Sequence, residues 1–363
     1  MAETGNRTQT WYNRYDRKRA DLYPVEDRNR LEWDQGDKAG LIKEFLNVGT
    51  IVELDPPIDF RHSLLQAFLN AGDIHILAAD TLNGNHERGR MAGTNTDFIM
   101  MDDRQDATGT HVSTRVWDSP GKGGYLDYPP EGTSIFTHIM SMREFFKRLN
   151  GNRQAQQADK RIIFCPGLSP TGALVLAGTA SKRIAPSLRD FLSQYLLCRA
   201  YFRISLDAIF RLEFHIPYYA LRRDGRPYQG DIILNGERQK LRKCKLLPLS
   251  TPGSYDKDYH YYEANVSLLV TGIDEWFWQA YCLIDSYFSP KYNPKRHFER
   301  PKWVDPCTGT RPLEFPHWNP REFFLAVLSA RLDQATREWR ALIDTFDGRM
   351  SAYVRLLSLD FII

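Results

Sequence analysis

Two hydroxyls close together, Ser169 and Thr171, stand in the stretch Arg161-Ile-Ile-Phe-Cys-Pro-Gly-Leu-Ser-Pro-Thr-Gly172, and they are the residues best arranged for chemistry. A short apolar run there empties into a Pro/Gly loop ahead of a helix-forming segment, so the expected order is strand, turn, helix. Such a turn carries backbone N–H groups and a hydroxyl to the carboxyl end of a sheet, where α/β proteins bind their ligands. The same residues also suit a plain strand-to-helix connection, with Pro and Gly present for turn geometry. A serine that attacks an ester needs a base or a preorganised donor loop, and an activated ester asks less of either than an amide does. His215 is the first histidine after Ser169 in sequence, and it belongs to a run, Phe210 to Tyr219, that also holds Glu213, Tyr218 and Tyr219. The alternative is that Glu213 and His215 share one face of a strand whose Phe214 and Ile216 fill the core, without catalysis.

The elements that must position these residues belong to a mixed α/β (α+β) chain: an α/β sandwich core followed by long C-terminal helices. Residues 1–40 are polar and form an expected arm, 41–271 an α/β core domain, and 272–363 a helical region packed on that core. Within the core the pattern predicts strands at Thr50–Leu54, Ile74–Ala79, Asp97–Met101, Val112–Trp117, Arg161–Cys165, Asp231–Leu234 and Tyr259–Thr271. Helices are expected over His62–Asn70, Thr137–Leu149, Ala173–Ala177 and Ser187–Tyr201. Gly272 to Phe288 is apolar all round and stops before Pro290, which predicts a buried helix. Asn319-Pro320 then caps a long helix in which Leu325, Leu328, Leu332, Ala335, Trp339, Leu342, Phe346, Met350, Tyr353 and Leu357 recur at three and four residues. Gly348 interrupts that stripe and marks an expected bend.

Composition narrows the function classes. The chain has 363 residues, 13% of them aromatic, and no apolar run long enough to cross a membrane, so the expectation is a packed cytoplasmic protein with no membrane partner. Five widely separated cysteines show no zinc spacing and read as reduced thiols. P-loop, His-Glu-x-x-His, Gly-x-Ser-x-Gly and Gly-x-Gly-x-x-Gly signatures are all missing, which removes the usual support for NTPase, zincin, α/β-hydrolase and dinucleotide readings. Asp102-Asp103 reads as a turn in preference to a cation site, and no motif calls for a metal or cofactor. Net charge is only +3, yet Arg238, Lys240, Arg242, Lys243 and Lys245 fall within eight positions. A second basic segment, Lys291 to Lys302 with Lys295 and Arg296, is interleaved with Tyr292, His297 and Phe298. Basic side chains beside aromatics suit phosphate contacts and base stacking, and two solvated loops are the bland alternative.

Four stretches together resemble a group of fungal proteins called CorA-like. They are the Arg161–Gly172 turn, Phe214 to Arg222, Trp276 to Phe288, and Trp318 to Phe324. The likeness spans the last two-thirds of the chain, but the paired membrane helices and Gly-Met-Asn loop of CorA channels are absent, so it implies a soluble architecture without transport. Gly167-Leu168-Ser169-Pro170 is also similar to the acceptor-serine loop of cyclodipeptide synthases, and Glu213 to Tyr219 resembles the Glu-x-Pro-aromatic run that carries their amine-binding glutamate. In size and basic loops the chain looks like the fungal arginine-containing cyclodipeptide synthases. That resemblance implies a tRNA-dependent enzyme that forms an arginine-containing diketopiperazine from aminoacyl-tRNAs, arginyl-tRNA included. Ser169, Glu213, His215 and Tyr218 would be catalytic. Thr171 and Tyr219 would bind substrate, with Asp80 or Asp207 pairing bidentately with the arginyl side chain. Arg238, Lys240, Arg242, Lys243, Lys245, Lys295 and Arg296 would hold tRNA. The reading of a different class is a non-enzymatic interaction module that uses its long C-terminal helix, and a homo-oligomer fits either.

Overall fold

The computed structural model describes residues 59–72, 98–104, 135–140, 142–150, 158–181, 183–206, 209–223, 231–234, 237–249, 259–273, 275, 277–285, 307–308 and 319–360. The elements are α1 (Asp59–Asn70), β1 (Phe98–Arg104), β2 (Ile135–Met140), α2 (Met142–Asn150), β3 (Ala158–Pro166), α3 (Pro170–Thr179), α4 (Ala185–Leu197), β4 (Tyr201–Leu206) and β5 (Phe210–Arg222). Next come β6 (Asp231–Leu234), β7 (Glu237–Lys240), β8 (Cys244–Leu246), β9 (His260–Gly272), β10 (Trp278–Ile284) and α5 (Pro320–Asp360). The class is the expected mixed one, with a long helix at the C-terminal end. The expected strands at 50–54, 74–79 and 112–117 and the arm at 1–40 lie outside the described residues.

One mixed sheet of order β2-β1-β3-β10-β9-β5-β4, with β8 on β9, organises everything else. β3 and β10 run parallel and the remaining neighbours run antiparallel. Because side chains alternate across a strand, the sheet separates two cores. Ile163, Cys165, Leu269, Tyr281 and Leu283 face α1 to α4 and pack on Leu65, Phe145, Leu174 and Phe191. Ile162, Phe164, Phe214, Leu268 and Cys282 face the other way and pack on Phe323, Phe324 and Val327 of α5. The result is helices, sheet, helix in three layers. Phe324 edges against Phe214, Trp278 tilts on Phe323, and the Arg222 guanidinium grips Glu338 with two 2.9 Å bonds, which fixes α5 along β5.

The buried helix expected over 272–288 is instead the strand β10. All seven of its residues are buried, because β3 and β9 flank it and cores cover both faces. A strand in that position loses its period of two and cannot be told from a buried helix by pattern. The sheet therefore crosses the expected boundary at residue 271. The helix expected over 137–149 divides into β2 and α2, and the one expected to reach Tyr201 stops at Leu197, where Cys198 takes a left-handed φ of 51°. α5 runs through Gly348 as one 41-residue helix, about 60 Å long. No helix among the described residues is long and apolar enough to cross a membrane.

Candidate functional site

The turn that carries Ser169 leaves β3 through Gly167, whose φ of 67° is the left-handed conformation that a side chain resists. Its N–H donates to the Ile284 carbonyl at 2.7 Å, which clamps the turn against the end of β10. Ser169 is the N-cap of α3: its Oγ accepts from the Gly172 N–H at 3.1 Å, and Pro170 follows at the first helical position. The serine is 8% exposed. The paired carboxyl ends of the one parallel strand pair described thus hold Ser169 and, directly after Ile284, Asp285.

Asp285 is the centre of a buried polar group that its neighbours in sequence do not announce. Its carboxylate accepts from the Tyr195 hydroxyl, from Arg242 Nε at 2.7 Å and from the Asn265 N–H at 2.7 Å. The Arg242 guanidinium also donates to the carbonyls of Leu196 and Tyr195, both at 2.9 Å, and lies 4.9 Å above the Tyr195 ring. Carboxylate, two carbonyls and an aromatic face complete its coordination. Burial, with the Asp285 charge added, pushes the Tyr195 phenol well above its ordinary range, so that it stays a proton donor to the carboxylate. Asn265 donates its side-chain N–H to the Tyr195 carbonyl at 3.3 Å, while its Oδ1 has no donor among the described residues.

Two residues along β9 from Asn265, Ser267 opens a second buried chain. Its Oγ lies 2.7 Å from His215 Nδ1, and His215 Nε2 lies 2.8 Å from Glu213 Oε1. A carboxylate only accepts, so Nε2 carries the proton of a neutral ring and Nδ1 accepts from the serine. Arg211 Nε donates to the other Glu213 oxygen at 2.6 Å and pairs with Asp190 at 3.2 Å. Burial beneath Phe191 and Tyr201 lowers the His215 pKa, and the bond to Glu213 only partly offsets it. Serine, histidine and glutamate form a relay-like line, but Glu213 and Ser267 are fully buried and His215 is 2% exposed. No substrate reaches that serine in this conformation.

The expected site residues therefore divide. Glu213 and His215 meet each other, on the alternation face predicted for a strand, while Ser169 meets neither: its hydroxyl caps α3 and both His215 nitrogens are taken. Cys165, four residues before Ser169, shares a register row with His215 through Leu283 and Ser267, three strand spacings or about 14 Å away. Tyr218 points to the opposite face of the sheet, where its hydroxyl accepts from Gln334 of α5 at 3.3 Å, so it does not join Glu213 and His215. Tyr219 packs edge-on against Tyr261 and Trp339, and Thr171 lies half-buried in the first turn of α3. Arg242 is corrected outright: at 1% exposure and bound to Asp285 it presents nothing to a phosphate. Lys243 and Lys245 are exposed beside it, and Arg238 and Lys240 belong to β7. Asp80, Asp207, Lys295 and Arg296 lie outside the described residues.

Tyr195, Asn265, Ser267 and Asp285 were not anticipated. Asp285 falls within the stretch whose composition predicts a helix but follows directly on the strand β10, and the others carry no local motif. No family model matches the sequence, and no curated protein or solved structure is detectably similar to it.

Proposed function

We propose that the chain is a tRNA-dependent acyl transferase that takes an aminoacyl group onto Ser169 and forms an arginine-containing cyclic dipeptide. The observation that carries this reading is the position of Ser169 at a helix N-terminus, just past the carboxyl end of β3 in the parallel pair β3 and β10. That is where sheet proteins of this kind place ligands. In the proposed reaction the Ser169 oxygen attacks the ester carbonyl of the first aminoacyl-tRNA, a new ester forms, and the ribose hydroxyl leaves with the serine proton. The α-amine of the second aminoacyl-tRNA attacks the seryl ester, forming a peptide bond and restoring the serine. The first residue's amine then attacks the remaining tRNA ester, which closes the ring and releases the second tRNA. Acylation removes Ser169 from the Gly172 N–H and frees that donor for the developing oxyanion. The exposed Lys243 and Lys245 suit tRNA phosphates. Glu213 and His215 touch no substrate in this reading, since their polar atoms are spent on each other, Arg211 and Ser267.

The test is mass spectrometry on a reaction with the protein, total tRNA, aminoacyl-tRNA synthetases, ATP and labelled arginine. A labelled cyclic dipeptide is expected, lost with RNase and lost in both Ser169→Ala and Ser169→Asn. The asparagine variant keeps a good helix cap without a nucleophile, so its inactivity separates chemistry from folding. Absence of product where a known synthase works, or activity in Ser169→Asn, refutes the proposal. A second reading, the non-enzymatic interaction module, is supported by the exposed apolar residues along α5.

A further inference from the structure

The long helix α5 carries two apolar stripes. One, through Phe324, Val327 and Ala335, packs on the sheet. The other runs Leu332, Trp339, Phe346, Tyr353 at intervals of seven, interleaved four residues on by Thr336, Ile343, Met350 and Leu357. That is an a/d heptad seam over four heptads, and its seven large apolar members are 37–61% exposed. An apolar seam of this period is the pattern of a helix pair, not of a solvated helix face.

We infer that the seam pairs with the same seam of a second copy, antiparallel, to make a two-fold dimer. The argument is charge and register. With Trp339 opposite Met350 of the second copy, and Ile343 opposite its Phe346, the flanking e positions place Arg340 opposite Asp347 and, by symmetry, Asp347 opposite Arg340. No like charges oppose one another in that register. A parallel pairing brings Arg340 against Ala335 and Asp347 against Leu342, with no ion pair, and sliding the antiparallel pair by one heptad puts Thr336 opposite Phe346 and sets Arg340 against the Arg340 of the second copy. A groove of about 460 Å³ between β5 and α5, lined by Ile216, Pro217, Trp339 and Ile343, receives Met350 and Tyr353 of the second copy. With side chains of this size offering on the order of 150–200 Å² each, the seam exposes about 600 Å² per copy, close to the roughly 800 Å² of a specific interface.

Sedimentation velocity and light scattering on the full chain over a dilution series test this. The expected mass is that of two chains. Phe346→Asp, at an exposed position, yields a folded monomer with unchanged circular dichroism. Arg340→Glu weakens the dimer about tenfold, because two symmetric ion pairs become two repulsions. The decisive variant is Arg340→Glu with Asp347→Arg, which restores dimerisation. The two residues are seven apart on one helix, about 10 Å, so the rescue acts between copies. A monomeric wild type, a dimer indifferent to Phe346→Asp, or a double variant as weak as the single one each overturns the inference.

Discussion

Substituting Asp285 with Asn removes one charge from a densely bonded buried group and leaves the Arg242 cation behind it. Both side chains are essentially inaccessible, at 0% for Arg242 and 3% for Asp285, so solvent does not screen the change. Breaking a buried pair from one side costs about 3–5 kcal/mol, since the remaining charge stays dehydrated. Here the guanidinium keeps two carbonyls and the Tyr195 ring, which places the expected loss at the lower end, about 3 kcal/mol. That is a large share of the roughly 5–15 kcal/mol that holds a domain folded. Arg242→Met alone leaves Asp285 with Tyr195 and the Asn265 N–H, and costs a similar amount. Asp285→Asn with Arg242→Met removes both charges. Its loss should be well below the sum of the singles, with a coupling energy of about 2–3 kcal/mol. Urea unfolding of the four proteins, compared at unchanged slope, measures this. Singles that add within about 0.5 kcal/mol, or an Asp285→Asn loss under about 1 kcal/mol, would refute the buried-pair account.

Three further outcomes follow from the same structure. Ser169→Ala should lower stability by about 1 kcal/mol through the lost cap while Ser169→Asn stays near wild type, both measured by urea unfolding. Gly167→Ala forces an alanine to the 67° φ and should cost about 1–2 kcal/mol, again by denaturant titration. His215 has a native pKa lowered from its ordinary 6.5, so at mildly acidic pH the unfolded chain binds the proton that the folded chain refuses. Stability contributed by the neutral ring is complete above about 6.5 and declines as pH falls from there towards the native value. His215→Gln should flatten that part of the stability-versus-pH curve, and an unchanged acid slope would count against it.

What could be read ahead of the structure was what the chain encodes locally. Asn319-Pro320 announces the start of α5, and the Asn319 side chain does accept from the Arg321 and Glu322 N–H groups. The Ile162–Cys165 run, with Pro166-Gly167 after it, announces β3 and its turn. Alternation through Phe214 and Ile216 announces which face of β5 Glu213 and His215 would share. β10 failed for a physical reason: a strand sealed on both faces has no polar side to alternate with, and Trp278 to Ile284 is as apolar as a core helix.

The polar groups failed for a different reason. Arg242 stands among Arg238, Lys240, Lys243 and Lys245, and a count of charges along the chain assigns all five to one solvated or phosphate-binding surface. Its partner is 43 positions away, at the end of a strand whose place depends on the order of the sheet. His215 and Ser267 are 52 positions apart and meet only because β5 and β9 pair in the register that sets them opposite each other. A one-residue slip of β5 against β9 would send Glu213 and His215 together to the α5 face and leave Ser267 on the other. The buried networks are therefore consequences of register as much as of residue type. A pairing that long-range is the part of a site that composition and spacing do not encode, and double-mutant coupling between Asp285 and Arg242 measures it directly.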